Sequence, residues 1–317
     1  MTAAINNADE EPNEKNSSAS TALLDEEEDG GGGEVHPHER RAECYRLCTY
    51  DEAPPYQQDN PFIRTGYRVN FSVKLCLQSF FRLHNESWNV WTHFSGFVIF
   101  LVLAGVVMQQ LDWRTPSEAL LFLAFFLTVE CSMLSSTIFH AFNCHSPGTY
   151  KWTCRFDYSS ISMLLVGSYS PMLYYAFMCE PVWQRLYLSG FCILGVVGVV
   201  ISFVPLFSTP QYTILRTGVF VALGWSTILP LPHIMYLHGV WLVWEVARWE
   251  LLVGLIYTVG AVMYAKRIPE RWSPGKYDTS FMCSHSLWHC FTIAGALTQL
   301  HACIAVYNVF GTMRACS

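Results

Sequence analysis

The chain has 317 residues, 52 % of them hydrophobic and only 14 % charged, against about 25 % charged in soluble domains. Residues 1–60 hold 15 of the 25 acids and 4 of the 19 Lys and Arg, whereas residues 61–317 carry a net charge of +5. Charges this sparse cannot cover a soluble body of that size, which excludes an ordinary cytosolic enzyme, a disulfide-stapled secreted domain and a nucleic-acid binder, and leaves a polytopic membrane protein with an acidic tail.

Residues 1–60 include the run Asp25 to Gly33 (DEEEDGGGG) and a Ser/Asn/Ala-rich start. Such a segment buries too little apolar surface to offset its ordering entropy, so a disordered cytosolic tail is predicted. It has no basic n-region or apolar h-region near Met1, so the first membrane helix is expected to act as its own insertion signal. Residues 61–92 form a polar-aromatic juxtamembrane segment. Within it Val69–Leu83 has apolar residues at helical spacing around Lys74 and Arg82, the pattern of a helix lying along the membrane surface.

Seven apolar runs follow near residues 93–110, 119–142, 157–178, 186–207, 215–236, 249–265 and 281–310. Each is long enough to span a bilayer, which takes roughly 20 residues. The fifth and sixth are weakest: Pro230 and Pro232 interrupt one, and Arg248 and Glu250 stand at the entrance of the other. Residues 93–317 are therefore predicted to be an all-α seven-helix membrane domain. The loops on the N-terminal side carry 11 Lys and Arg and those on the opposite side 4. Positive charge stays inside, so the N-terminus is predicted cytosolic and the C-terminus extracellular. A G-protein-coupled receptor has the reverse orientation, and its DRY and NPxxY signatures are missing. The twelve cysteines form no CxxC pair; most are predicted reduced, with Cys179 and Cys316 alone on the outer side, where they could pair.

Polar side chains inside a lipid-spanning helix mark function. The second run ends in Ser136–His140 (SSTIFH), the third opens with Asp157 (RFDYSS) in its first turn, and the seventh opens with His285–His289 (HSLWH). Four-residue spacing puts each pair on one helix face, one turn apart, and His at i and i+4 can share a metal ion. The second run ends on the side where the third and seventh begin, so His140, Asp157, His285 and His289 lie at one depth, near the cytosolic face. Three imidazoles with an open fourth position are the ligand set of a catalytic zinc. Asp157 fits the role of handling the zinc's water, with Ser136 as a supporting donor. A substrate entering from the bilayer points to a lipid ester or amide. Against this stands the reading of each histidine as a polar contact between helices, or of the zinc as purely structural. His145, His233, His238 and His301 are predicted outside the site. Glu130 is turned off the ligand face and is expected to be protonated and hydrogen-bonded.

Together these motifs resemble the progestin and adipoQ receptor family, haemolysin-III-related membrane proteins, and the adiponectin-receptor branch most closely. FFRLHNESWNVWTH (Phe80 to His93), FNCHS (Phe142 to Ser146) and AKRIPERWSPGKYD (Ala265 to Asp278) carry the likeness further, over about Asp59 to Val309. The resemblance implies a seven-helix bundle with a cytosolic N-terminus and an intramembrane zinc (Zn2+) on His140, His285 and His289. It implies that Asp157 contacts the zinc's water, that Ser136 belongs to a motif shared with alkaline ceramidases, and that members act as receptors in lipid-linked signalling with ceramidase-like hydrolysis. The implied partners are a membrane lipid such as ceramide as substrate and an extracellular or lipid ligand, with no nucleic acid. The location is a plasma membrane or endomembrane. A signalling receptor with a structural zinc is the competing function. A transporter using Glu130 is a third, without the repeated halves that class shows.

Overall fold

The structure, a computed structural model, describes residues 45–205 and 210–311. It is helical apart from one hairpin. Strands β1 (Leu47–Thr49) and β2 (Thr65–Arg68) pair antiparallel, with Leu47 opposite Arg68. Nine helices follow among the described residues: α1 (Val73–Ser79), α2 (Ser87–Gln110), α3 (Pro116–Phe142), α4 (Pro147–Ala176), α5 (Pro181–Ser202), α6 (Thr213–Trp225), α7 (Leu231–His238), α8 (Val240–Lys266) and α9 (Ser284–Phe310). Helix α3 packs between α2 and α4, α4 also meets α5 and α9, and α8 lies against α6, α7 and α9.

Helix starts follow local chemistry. Thr115 accepts a hydrogen bond from the Glu118 amide (3.3 Å) ahead of Pro116, and Ser146 accepts one from the Thr149 amide (3.2 Å) ahead of Pro147. A hydroxyl cap followed by proline satisfies an orphan N–H and presets the first turn. Six helical segments are long and apolar enough to cross a membrane: α2, α3, α5, α6 with α7, α8 and α9. Large apolar side chains such as Leu101, Val102, Leu127, Val196 and Leu255 stand exposed on them. In water such a surface would aggregate; in a bilayer it is solvated. The protein is an all-α integral membrane protein with several passes.

The structure departs from the sequence reading in four places. The third predicted span, 157–178, lies in α4, which starts ten residues earlier because Ser146–Pro147 caps it, so Asp157 sits in the third turn and not the first. This 30-residue helix is too polar to rank among the six apolar ones. The fifth predicted span is two helices, since the chain breaks at Ser226–Pro230 before α7. The surface helix predicted over Val69–Leu83 shrinks to α1: Asn70 takes a left-handed backbone (φ 53°) and Ser72 caps the Leu75 amide. Residues 45–60, predicted within the tail, are ordered, because Ala53 packs with Ile63, Tyr67 and Cys283. The acidic run Asp25–Gly33 lies outside the described residues.

One close approach matters for the site. A Cβ on Gly167 of α4 would stand 2.0 Å from the Thr128 hydroxyl of α3. Only glycine lets these two helices, which carry Asp157 and His140, come so near.

Candidate functional site

His140 lies in the last turn of α3, and His285 and His289 in the first two turns of α9. Their ligand atoms all lie within 4.8 Å of one another, and a metal ion could be held there. Nε2 of His285 stands 3.2 Å from Nε2 of His140. Two nitrogens bound tetrahedrally at zinc distances are about 3.3 Å apart, so the spacing suits an ion between them.

The other ring nitrogens are held from behind. Nδ1 of His140 bonds Oε2 of Glu86 at 2.7 Å. Nδ1 of His289 lies 3.0 Å from the Asn89 carbonyl and 3.1 Å from the Thr92 hydroxyl. Both contacts fix the tautomer that leaves Nε2 free as a ligand. Asn89 in turn donates to Oε2 of Glu86 at 2.6 Å. Burial raises the Glu86 carboxyl, but the His140 and His285 rings and the Asn89 amide outweigh it and hold it below the usual carboxylate range. Glu86 thus serves as the acceptor for both the His140 ring and the Asn89 amide.

Glu86, Asn89, Thr92 and His93 all come from the start of α2, a stretch to which sequence reasoning assigned no role. Their spacing of three and four places them on one helix face. His93 is a fourth imidazole beside the cluster, outside the three-histidine group that could hold a metal. It stacks on His289 with centroids 3.6 Å apart, and neither of its ring nitrogens has a hydrogen-bond partner among the described residues.

Two further residues position the ligands at long range. Arg68 of β2, fully buried, donates to the His140 carbonyl (2.6 Å), the Ala141 carbonyl (3.0 Å) and the Ser79 hydroxyl (2.7 Å). A guanidinium there caps the orphan carbonyls at the end of α3 and complements its dipole. Glu270, in the segment after α8, accepts from the Ser284 amide (2.8 Å) and the Ser284 hydroxyl, fixing the start of α9 beside His285.

Asp157 lines the same cavity as His285 and His289, with its carboxylate beside the Ser136 side chain. The remaining predicted positions separate cleanly. His145 bonds the Phe71 carbonyl at 2.8 Å, His233 sits among Trp183 and Tyr187, and His238 bonds the Ala176 carbonyl at 2.6 Å. His301 rests on Trp249. Glu130 lies off the cavity, and neither of its oxygens has a hydrogen-bond partner among the described residues, against the bond expected for it. Cys179 is disulfide-bonded, while Cys316 lies outside the described residues. The buried pair Cys76 and Cys144, near the ligands' end of the bundle, is free.

The cavity has His93, His285, His289 and Asp157 at one end and apolar walls of Ile161, Leu164, Leu165 and Val253 beyond. A second, more polar chamber lined by Asp59, Glu86, His140 and Arg267 adjoins it and shares His285, Arg216 and Tyr264. Such an arrangement can bring a lipid from one side and water from the other to a three-histidine centre.

Comparison with known proteins gives concordant matches. The haemolysin-III-related family matches residues 81–300. The chain is 36 % identical to the adiponectin receptor protein of Drosophila melanogaster over 273 residues, covering 84 % of this chain and 61 % of that protein. It is 34 % identical to heptahelical transmembrane protein 1 of Arabidopsis thaliana, covering 81 % of this chain and 80 % of that one. It is also 34 % identical to progestin and adipoQ receptor-like protein 1 of Caenorhabditis elegans, covering 81 % and 60 %. The chain thus spans about three fifths of the two animal relatives.

Proposed function

This chain belongs to the haemolysin-III-related family, and from that premise we propose an adiponectin-receptor-like membrane receptor that holds zinc on His140, His285 and His289 and hydrolyses a lipid amide such as ceramide. The observation that carries the proposal is the convergence of ligand nitrogens from three histidines, two of them locked from behind by Glu86 or Asn89, at the polar end of an apolar cavity. A closed structural zinc takes four protein ligands, and the cluster among the described residues has three, which favours turnover over a purely structural zinc.

Zinc held there would polarise a carbonyl and lower the pKa of a coordinated water toward neutrality. The chain's own residues supply the rest. Asp157 accepts the proton of the attacking water on its carboxylate and returns it to the departing amine. Ser136 orients that carboxylate. Glu86 keeps His140 in the ligating tautomer, and the apolar walls align the acyl chain and exclude bulk water. On this reading there are seven passes, with α4 as the polar third, which puts the termini on opposite sides, the N-terminus in the cytosol. The charge bias supports this orientation, as does the disulfide of Cys179 at the far end of α4 from the free Cys144. Extracellular or lipid ligands would act by shifting the helices around the cavity.

The test is ceramide turnover by purified protein, wild type against Asp157→Asn. Turnover should fall by roughly two to four orders of magnitude, the contribution of a positioned base, while zinc stays bound. Wild-type protein that carries zinc yet cleaves no ceramide of any chain length would leave the receptor with a structural zinc.

A further inference from the structure

The cavity has a second polar end that the proposed hydrolysis does not use. Glu250 of α8 and Gln299 of α9 face each other there, 8 % and 3 % exposed. Gln299 Nε2 donates to Glu250 Oε1 (3.0 Å) and to the Ser168 carbonyl (3.1 Å). Among the described residues Gln299 Nε2 is the one donor to the Glu250 carboxyl and none donates to Gln299 Oε1, and both residues line the cavity. A membrane helix does not ordinarily leave two acceptors pointing into an apolar space, because each unpaired group costs free energy.

The two lining faces measure the distance between the ends. On α8 the lining residues Glu250, Val253, Gly254, Tyr257, Ala261 and Tyr264 recur at helical spacing, and Tyr264 touches His285. On α9 the face runs from His285 to Gln299. Either stretch rises about 21 Å at 1.5 Å per residue, the length of a long acyl chain. The wall between is mostly apolar, with the hydroxyls of Tyr257, Thr258 and Thr292 along it.

We infer that Glu250 and Gln299 form a second subsite that binds a hydrogen-bond donor, a hydroxyl, carried at the far end of a long-chain lipid whose polar head lies at the histidine end. This rests on the proposed function only for where the head lies. Gln299 Oε1 accepts, and the Glu250 carboxyl offers an acceptor when ionised and a donor when neutral, so a hydroxyl, which both donates and accepts, fits the pair in either state. A chain ending in methyl that reaches them buries two unpaired oxygens, and a site built to pair a polar group discriminates against the analogue lacking it. The occupant is a chain with polar groups at both ends.

The experiment is direct binding of hexadecanoic acid and ω-hydroxyhexadecanoic acid to the full chain in detergent, compared as a ratio within each preparation. Wild type should prefer the ω-hydroxy acid by about tenfold or more. Glu250→Leu should abolish or invert that preference, and Glu250→Gln, which keeps an acceptor oxygen, should retain part of it. A role for Glu250 purely as a clamp between α8 and α9 would lower stability and both affinities together without moving the ratio. Should Glu250→Leu not fold, the wild type decides alone through a series of ω-hydroxy acids from decanoic to octadecanoic. Affinity should peak at the length that reaches Glu250, whereas a featureless apolar slot gives a monotonic rise. Equal binding of the two acids by wild type, or an unchanged ratio in Glu250→Leu, overturns the inference. Neither readout needs turnover, so loss of ceramide hydrolysis with the preference intact would sink the hydrolytic reading and leave this one standing.

Discussion

Removing the support behind His140 should weaken metal binding without touching a ligand. Oε2 of Glu86 lies 2.7 Å from Nδ1 of His140 and also takes the Asn89 amide at 2.6 Å. A hydrogen bond to a charged acceptor contributes about 1.5–3 kcal/mol, and a neutral one about 0.5–1.5. Glu86→Gln keeps the shape and one acceptor oxygen but loses the charge, a difference of about 1–1.5 kcal/mol, or roughly tenfold in zinc affinity at 1.4 kcal/mol per decade. Glu86→Ala also frees His140 to rotate and leaves the Asn89 amide unpaired, so the loss should approach 100-fold, the upper range for removing such a partner. The assay is competition with a graded series of chelators on purified protein. Glu130→Gln serves as control: that carboxyl lies off the cavity and should leave affinity unchanged. Wild-type zinc affinity in Glu86→Ala would refute the arrangement in which His140 ligates through Nε2.

Single Ala substitutions at His140, His285 or His289 should strip the metal, whereas His145→Ala and His301→Ala should keep it, as read by elemental analysis. Arg68→Met removes a buried guanidinium from two helix-end carbonyls and a hydroxyl. It should cost about 3 kcal/mol or more, seen as a lower unfolding temperature, with zinc occupancy falling alongside. Gly167→Ala forces a methyl against Thr128 and should destabilise by about 1–3 kcal/mol. Thr128→Ala in the same chain should recover part of that loss in a thermal unfolding assay. The sequons at Asn16, Asn70 and Asn85 precede the first span. They should stay unglycosylated in a eukaryotic host, and a glycan on any of them would reverse the orientation.

How much of the site could be read from sequence depends on whether its geometry is local. His285 and His289 share a helix face by spacing alone, and the alternation of loops brought His140 and Asp157 to their depth without any coordinates. The α2 face was readable by the same rule. Glu86, Asn89 and His93 recur at three and four, but the stretch reads as a polar entry to a helix and the spacing went unused. Arg68 and Glu270 were not legible. Arg68 reaches across 72 residues to the His140 carbonyl, and nothing in a loop arginine announces that contact. It reads only as a topological charge. Asp157 was misplaced within its helix because the polar segment 147–156 resembles a loop until Ser146 and Pro147 are recognised as a cap. Likewise Cys48, Tyr50 and Ala53 are too few to signal order in an acidic tail, and they become ordered only against Ile63, Tyr67 and Cys283.

X-ray absorption at the zinc edge on protein purified without added metal tests the centre itself. The predicted result is about one zinc per chain with a first shell of three imidazole nitrogens and one oxygen at about 2.0–2.1 Å, lost in His289→Ala. Protein that folds, binds lipid and contains no zinc, or a zinc shell that includes sulfur, would contradict it.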